Sequence, residues 1–259
     1  MKKFVAVTSL NFRSAPRVAA DTLVGPIFLG TPVEVTGAAD AKGFIEAEAD
    51  VDGTRTTGFV AERFLRGIES DAREDLVAGA VAEWLRFDRG LGKEHIDPFF
   101  RRVGEYWDKI NLNLDGKDRD VPWSAAFISY VVRDAGAPYA GFKFAAAHAR
   151  YINDSIRRRG NGGTPFWGFR LGERKPRIGD LVCRWRESPI DFDTAAERDS
   201  FKSHCDIVVA IDSLGDELLA IGGNVAHSVS VTRYKLTAGD FLADADGVFA
   251  LLANVTDDS

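Results

Sequence analysis

The spacing of apolar residues changes near residue 69, and no other feature of the sequence restricts the fold as strongly. Between Phe4 and Leu65, short apolar runs are separated by Gly, Pro and Asp, as in small all-β barrels. From Glu69 onward, apolar residues recur at helical intervals, and strand-like runs follow only after residue 180. We therefore predict an all-β domain over residues 1–66 and an α+β domain over residues 67–259.

The helices of the second domain are predicted to precede its strands. Helical patterns occupy residues 71–90, 97–111, 122–135 and 145–159. The strand-like runs are Leu181–Trp185, Cys205–Ile211, Glu217–Gly222, Ser228–Tyr234 and Val248–Leu252. The polar segment between the first two strands, residues 186–202, is predicted to be a long loop. This order indicates N-terminal helices packed on an antiparallel sheet.

The charge and the hydropathy exclude some classes of partner. The formal net charge of −6 argues against nucleic acid, because phosphate binding needs clustered Lys and Arg. No stretch approaches the about 20 apolar residues of a membrane span, so we expect no membrane partner. The run after Lys2 and Lys3 is broken by polar residues and lacks a signal-peptide cleavage site. We expect a cytoplasmic chain, unless a signal-independent secretion or lysis machinery exports it.

The two cysteines, Cys183 and Cys205, fit neither a disulfide scaffold nor a zinc site. Both lie in predicted strands. If these strands are neighbours, the cysteines either form a cross-strand disulfide or are two small buried apolar side chains. No pair of His, Cys, Asp or Glu at helical i, i+4 spacing has a third ligand nearby, so we predict neither a metal nor a cofactor.

Ser124 has the strongest case for nucleophilic chemistry among the hydroxyls. It lies in the first turn of a predicted helix, with Pro122 at or near the first helical position. Unpaired N–H groups and the positive end of the helix dipole stabilise an anion at such a place. They also suit an oxyanion that develops during acyl transfer.

A base and an orienting group are predicted on the strands that follow. His204 opens a strand, and Asp206 projects from the same face two residues later. Asn224 follows Gly222 and Gly223, which allow either a close approach of the backbone or a sharp turn. Imidazole is the usual base for a hydroxyl nucleophile, and a third polar group fixes its tautomer. We predict His204 as the base, oriented by Asn224 or Asp206.

Three further side chains are candidates for substrate binding. They are Trp123 beside the nucleophile, His148 on the fourth helix and His227 in the turn after Asn224. For His148, a surface or hydrogen-bonded core histidine is the alternative interpretation.

The first 66 residues resemble a bacterial SH3-like domain in three segments, "LNFRSAPR", "GTPVEVTG" and "TGFVAERFL". Where that family often has a tryptophan after its middle turn, this chain has Gly43 and Phe44. The resemblance implies a small β-barrel that either binds cell-wall peptide or glycan or packs against a catalytic neighbour.

Residues 71–254 resemble the papain-like superfamily of cell-wall peptidases and amidases, which includes NlpC-type and CHAP domains. The resemblance rests on "PWSAAFISYVV", "AAAHARYI", "GDLVCRW", "SHCDIVV" and "IGGNVAHSVSV". Together these segments are similar to a bacterial family of unknown function that has serine in place of the catalytic cysteine. The resemblance places Ser124 at the cysteine position, His204 at the base and Asn224 at the third group.

Two functions follow from these patterns. The first is a peptidoglycan amide hydrolase with Ser124, His204 and Asn224 or Asp206, acting on a cell-wall peptide. The second is a non-catalytic wall-binding or protein-binding module, in which the site has degenerated. An alcohol depends on proton removal in the transition state, whereas a thiol forms its anion readily. The serine therefore leaves both functions open.

Overall fold

The protein is described by a computed structural model that covers residues 1–212 and 215–257. The chain divides into two compact units, Met1–Glu69 and Ser70–Ser259. The sequence places this boundary a few residues earlier, at residue 66.

The first unit is all-β. Within residues 1–69 its strands are β1 Lys2–Val5, β2 Ser9–Arg13, β3 Leu23–Phe28, β4 Pro32–Val35, β5 Phe44–Val51, β6 Thr54–Ala61 and β7 Leu65–Arg66. They form one sheet in the order β3-β2-β6-β5-β4-β1-β7. Asp52 and Gly53 both have positive φ and make the tight turn between β5 and β6. Alternate residues of β5 enter a core around Phe12 and Val33. The resemblance to SH3-like domains stays a prediction.

The second unit is α+β, as predicted. Within the described residues its helices are α1 Asp71–Arg86, α2 Phe99–Asp108, α3 Ser124–Asp134, α4 His148–Arg157 and α5 Phe192–Glu197. Its strands are β8 Phe166–Phe169, β9 Leu181–Trp185, β10 Ser203–Asp212, β11 Glu217–Val225, β12 Ser228–Lys235 and β13 Val248–Asn254. The sheet is antiparallel, in the order β12-β11-β10-β9-β13-β8. Helices α1 and α3 pack on β10 and β11, and α4 packs on β8 and β10.

Two elements are absent from the sequence prediction. Strand β8 has only four residues, "FWGF", and pairs with the last strand, so no local period reveals it. Helix α5 interrupts the predicted loop of residues 186–202. It has only six residues, and its N-terminus is capped by the Asp191 carboxylate, which accepts a hydrogen bond from the Thr194 N–H. Elements this short depend on tertiary packing more than on local pattern.

A buried arginine ties helix α1 to the sheet. The guanidinium of Arg73 donates to the Asp180 carboxylate at 2.9 Å and to the carbonyl oxygens of Ile178 and Asn254. Both Arg73 and Asp180 are fully buried. A second carboxylate, Asp257, accepts from Arg73 at 3.0 Å. These bonds fix the start of β9, because Asp180 immediately precedes it.

Two glycines of strand β11 leave room for different neighbours: Gly223 lets helix α3 lie directly against the strand, and Gly222 makes room for the Asp206 carboxylate of β10. A Cβ atom on Gly223 would come within 2.5 Å of Phe127 Cβ and 2.7 Å of the Trp123 ring. A Cβ atom on Gly222 would overlap the Asp206 carboxylate. The close approach brings the first turn of α3 onto the sheet. This turn begins with Ser124 as its first helical residue, so Pro122 lies before the helix instead of within it.

The predicted cysteine-bearing strands are neighbours. Cys183 on β9 lies directly opposite Cys205 on β10, and their Sγ atoms are 2.6 Å apart. Both are free, buried thiols. Of the two alternatives from the sequence, the structure shows the small buried side chains.

None of the described helices is both long and apolar enough to cross a membrane.

Replacing Gly223 with alanine will loosen the contact between α3 and β11. We expect Gly223→Ala to lower the free energy of unfolding by about 1–3 kcal/mol, because Phe127 and Trp123 must shift. Urea unfolding followed by tryptophan fluorescence measures this, and all five tryptophans lie in the second unit. Gly172→Ala is the matched control, since a Cβ there meets nothing within 4 Å, and we expect a change below about 0.5 kcal/mol. Equal effects of the two substitutions would contradict the close-approach account.

Candidate active site

Ser124 and His148 form a hydrogen-bonded pair at the starts of two helices. Ser124 is the first residue of α3 and His148 the first residue of α4. The Oγ atom of Ser124 lies 2.7 Å from Nε2 of His148. The two side chains are 3 % and 5 % exposed, and both line a cleft. A hydroxyl within hydrogen-bond reach of an imidazole is the arrangement that nucleophilic catalysis requires.

Tyr151 sets the tautomer of His148. It lies one helical turn after His148, and its hydroxyl oxygen is hydrogen-bonded to Nδ1 of that residue. Burial raises the pKa of the Tyr151 hydroxyl, and the adjacent Cys205 thiol raises it further. Because Tyr151 has one proton, we direct that proton towards Cys205 and let the tyrosine oxygen accept from Nδ1–H. Nε2 of His148 is then free to accept the Ser124 proton.

The site keeps His148 uncharged. Burial lowers the pKa of His148 well below its ordinary value of 6.5, and the positive charges of His204, Arg186 and Arg184 lower it further. The positive end of the α4 dipole acts in the same direction. A neutral imidazole is the form that can accept a proton.

His204 lies behind His148, in a second polar chain. Its Nε2 atom is 2.8 Å from the Asp206 Oδ1 atom, and Tyr234 donates to Oδ2 of the same carboxylate at 2.5 Å. All three side chains are buried. Burial alone would raise the pKa of Asp206, but the charge and hydrogen bond of His204 lower it below the usual value. The structure thus joins His204 to Asp206 on one strand face, as the sequence predicts.

The structure does not bond His204 to Ser124 or to Asn224. In the described part of the chain, Nδ1 of His204 is a buried atom with no hydrogen-bond partner. The ring of His204 instead lies 5.2 Å from the ring of His148, centroid to centroid. His148, predicted as a substrate-binding residue, therefore occupies the place beside the hydroxyl that the sequence gives to His204.

Asn224, at the end of β11, and His227, in the turn that follows, both line the cleft. Asn224, Ala226 and His227 all have positive φ, between 51° and 62°. Such backbone strain persists only where the surroundings enforce it. Here Nδ1 of His227 lies 2.9 Å from the buried Glu94 carboxylate, and the Glu94 N–H donates to the His227 carbonyl. The loop before α2 thus holds the turn at the cleft.

Trp123, predicted to bind substrate, is buried and is not among the residues that line the cleft. Its side chain is 2 % exposed and packs against the rings of Phe87 and Tyr106. Its Nε1–H donates to the Glu94 carboxylate at 2.6 Å. Because the residue precedes the helix, its ring turns into the core while Ser124 faces the cleft.

The cleft has a volume of about 750 Å³, within the range of small-molecule and peptide sites. Its apolar part includes Leu112, Leu114, Val121 and Phe201, and its polar part includes Ser124, His148, Asn224, His227, Arg119 and Arg186. Among residues 1–212 and 215–257, no three His, Cys, Asp or Glu side chains lie together as metal ligands.

Two residues of the site escaped the sequence analysis. Tyr151 shares a helix face with His148, three residues away, so helical spacing alone could have suggested the pair. Glu94 lies in an irregular segment far from His227 in sequence, and no local pattern indicates their contact.

One family model matches the chain. The model of a family described as "Uncharacterized protein conserved in bacteria (DUF2272)" matches residues 104–252, more than half of the chain. No curated protein matches.

Two solved structures are similar to the chain, NlpC2 and NlpC1 from Trichomonas vaginalis. Each is 11 % identical, with a TM-score of 0.29. The NlpC2 match covers 98 % of this chain and 74 % of that one, and the NlpC1 match covers 90 % and 64 %. The geometry of the site therefore rests on this chain's own residues.

We predict that His148 has a pKa well below that of an ordinary histidine. Burial disfavours the imidazolium, so the resonances of His148 should titrate well below the ordinary histidine value of about 6.5. Nitrogen-15 chemical shifts should show the Nδ1–H tautomer, and Tyr151→Phe should weaken that preference by removing the acceptor. Titration of His148 at or above pH 6.5 would contradict this description of the site.

Proposed function

This chain belongs to that bacterial family of uncharacterized proteins, and from this premise we propose that its second unit is a serine-type amide hydrolase of cell-wall peptide. The observation that carries the proposal is the 2.7 Å contact between Ser124 Oγ and His148 Nε2 at the cleft.

Ser124 would act as the nucleophile and His148 as the base. As the Oγ atom attacks the amide carbon, its proton passes to Nε2 of His148, and the carbonyl becomes a tetrahedral oxyanion. The protonated His148 then gives that proton to the leaving amine, and an acyl ester remains on Ser124. A water molecule, deprotonated by His148, hydrolyses the ester and restores the hydroxyl.

The first turn of α3 would stabilise the oxyanion. The N–H groups of residues 124–126 start the helix and have no intrahelical acceptor. They carry the positive end of the helix dipole next to the Ser124 hydroxyl. Loss of one such donor in a hydrolase costs about 10²–10³ in kcat.

His204 and Asp206 would support the base from behind. The imidazolium that forms on His148 has no carboxylate of its own, and the ionised Asp206 is the anion joined to the neighbouring ring. The sequence assigns the base to His204, and the hydrogen bond at Ser124 is the reason to assign it to His148. Asn224, predicted as an orienting group, would contact substrate from the cleft wall.

The cell-wall substrate rests on resemblance. The five motifs resemble wall peptidases and amidases, and the cleft is large enough for a short peptide. In this function the first unit would help to hold the wall polymer. A wall substrate also requires delivery, so we propose that secretion or lysis machinery is a partner of this protein.

A non-catalytic binding module is the alternative, and one observation favours it. His148 is buried and adjoins three positive groups, so an imidazolium there is costly. A thiol can transfer its proton to the imidazole before it attacks, whereas an alcohol loses its proton only in the transition state. With Ser124, the free-energy cost of the imidazolium therefore adds to the activation barrier. In this function the cleft would bind wall peptide without cleaving it.

The first test is product release from purified peptidoglycan and muropeptides. We expect the wild type to release soluble peptide products that mass spectrometry identifies, and Ser124→Ala to release none above background. Ser188→Ala, at an exposed serine of the loop after β9, should retain wild-type activity. Equal wall binding by wild type and Ser124→Ala, with no product from either, would favour the binding module.

The second test separates the two histidines. His148→Gln should lower kcat by about 10²–10⁴, because the general base is lost. His204→Gln keeps a donor for Asp206 and removes a charge that lowers the pKa of His148. We therefore expect a smaller loss, with the acidic limb of the pH–kcat/KM profile moved to higher pH. A larger loss of kcat in His204→Gln than in His148→Gln would indicate that His204, and not His148, is the base.

A further inference from the structure

The cleft carries two cations that no described side chain neutralises. Of its charged lining residues, Lys202 is paired with Glu187 at 3.2 Å, and Glu94 is bonded to His227 and Trp123. The guanidinium groups of Arg119 and Arg186 have neither a hydrogen bond nor an ion pair to any part of the chain that the structure describes.

These two arginines reach the cleft from different loops. Arg119 lies in the segment between α2 and α3, five residues before Ser124. Arg186 directly follows β9, and its backbone N–H donates to the Lys202 carbonyl at 2.8 Å, which fixes the start of its loop. The charge of Arg186 acts on His148, so this guanidinium lies near the proposed base.

We propose that the cleft selects amide substrates that carry a free carboxylate close to the scissile bond, and that Arg186 and Arg119 bind this carboxylate. The inference rests on the proposed hydrolysis at Ser124, whose substrate class it narrows. A guanidinium matches a carboxylate with two parallel N–H···O bonds, which gives position as well as attraction. Leu112, Val121 and Phe201 line the same cleft and give it apolar surface beside the two arginines' polar groups.

Carboxylate binding would also assist the base. The positive charge of Arg186 disfavours protonation of His148, and a bound anion offsets that charge. A substrate with the carboxylate thus makes proton transfer from Ser124 easier than a substrate whose carboxylate has been amidated. The two arginines would then favour the substrate with a free carboxylate over the amidated substrate, both in binding and in the chemical step.

The test compares soluble muropeptides with free carboxyl groups and the same muropeptides after amidation with carbodiimide and ammonia. Binding is measured by calorimetry on Ser124→Ala, which does not turn over, and kcat/KM on the wild type. We expect the acid form to bind Ser124→Ala about tenfold or more tightly than the amide form. Arg186→Gln and Arg119→Gln, each added to Ser124→Ala, should each reduce this preference.

Arg198→Gln is the matched control, because Arg198 is an exposed arginine of the same connection between β9 and β10 as Arg186 but is not among the residues that line the cleft. It should leave the preference unchanged. The proposal is overturned if the acid and amide forms bind equally, if neither binds, or if the acid preference survives in Arg119→Gln/Arg186→Gln.

The failure of this inference is distinguishable from failure of the hydrolase. If Ser124→Ala prefers the acid form while the wild type releases no product, carboxylate recognition stands and hydrolysis does not. If the wild type cleaves acid and amide forms at equal kcat/KM, hydrolysis stands and carboxylate selection is overturned.

Discussion

The contact between helix α3 and strand β11 is the constraint on which the site depends. Without a side chain at Gly223, the start of the helix packs directly on the sheet, and Ser124 lies beside His148. A methyl group at Gly223 would meet Phe127, and one at Gly222 would meet Asp206. In such a close-packed contact, a small shift of the strand backbone also shifts the start of α3. The distance between Ser124 and His148 therefore depends on this backbone contact.

A continuous set of buried polar groups extends from the cleft into the sheet. Ser124 is hydrogen-bonded to His148 and His148 to Tyr151, and the Tyr151 hydroxyl adjoins the Cys205 thiol. Burial raises the pKa of both Tyr151 and Cys205, so these groups remain protonated and act as donors at neutral pH. The tautomer of His148 is therefore fixed by neutral groups, whereas Ser–His–Asp sites use a carboxylate. As a consequence, the proposed base, His148, is difficult to protonate.

Much of the fold was predictable from local pattern, and the pairing within the site was not. The change of period near residue 69 predicted the two units, and the runs around Leu181 and Glu217 predicted strands that the structure confirms. The alternation of side chains along a strand also predicted that His204 and Asp206 lie on the same face, and the structure shows them hydrogen-bonded. The contact between Ser124 and His148 depends on how two helix starts meet, which no local spacing encodes. The burial of Trp123 could not be predicted for the same reason, because the direction of its side chain depends on where α3 begins.

Covalent labelling of Ser124 tests the central claim most directly. A fluorophosphonate reacts with a serine hydroxyl only where a neighbouring base activates it. The account predicts one adduct per chain at neutral pH, localised by peptide mass spectrometry to Ser124, and its loss in His148→Gln. Absence of an adduct on Ser124, or equal labelling of wild type and His148→Gln, would contradict the claim that His148 activates this hydroxyl.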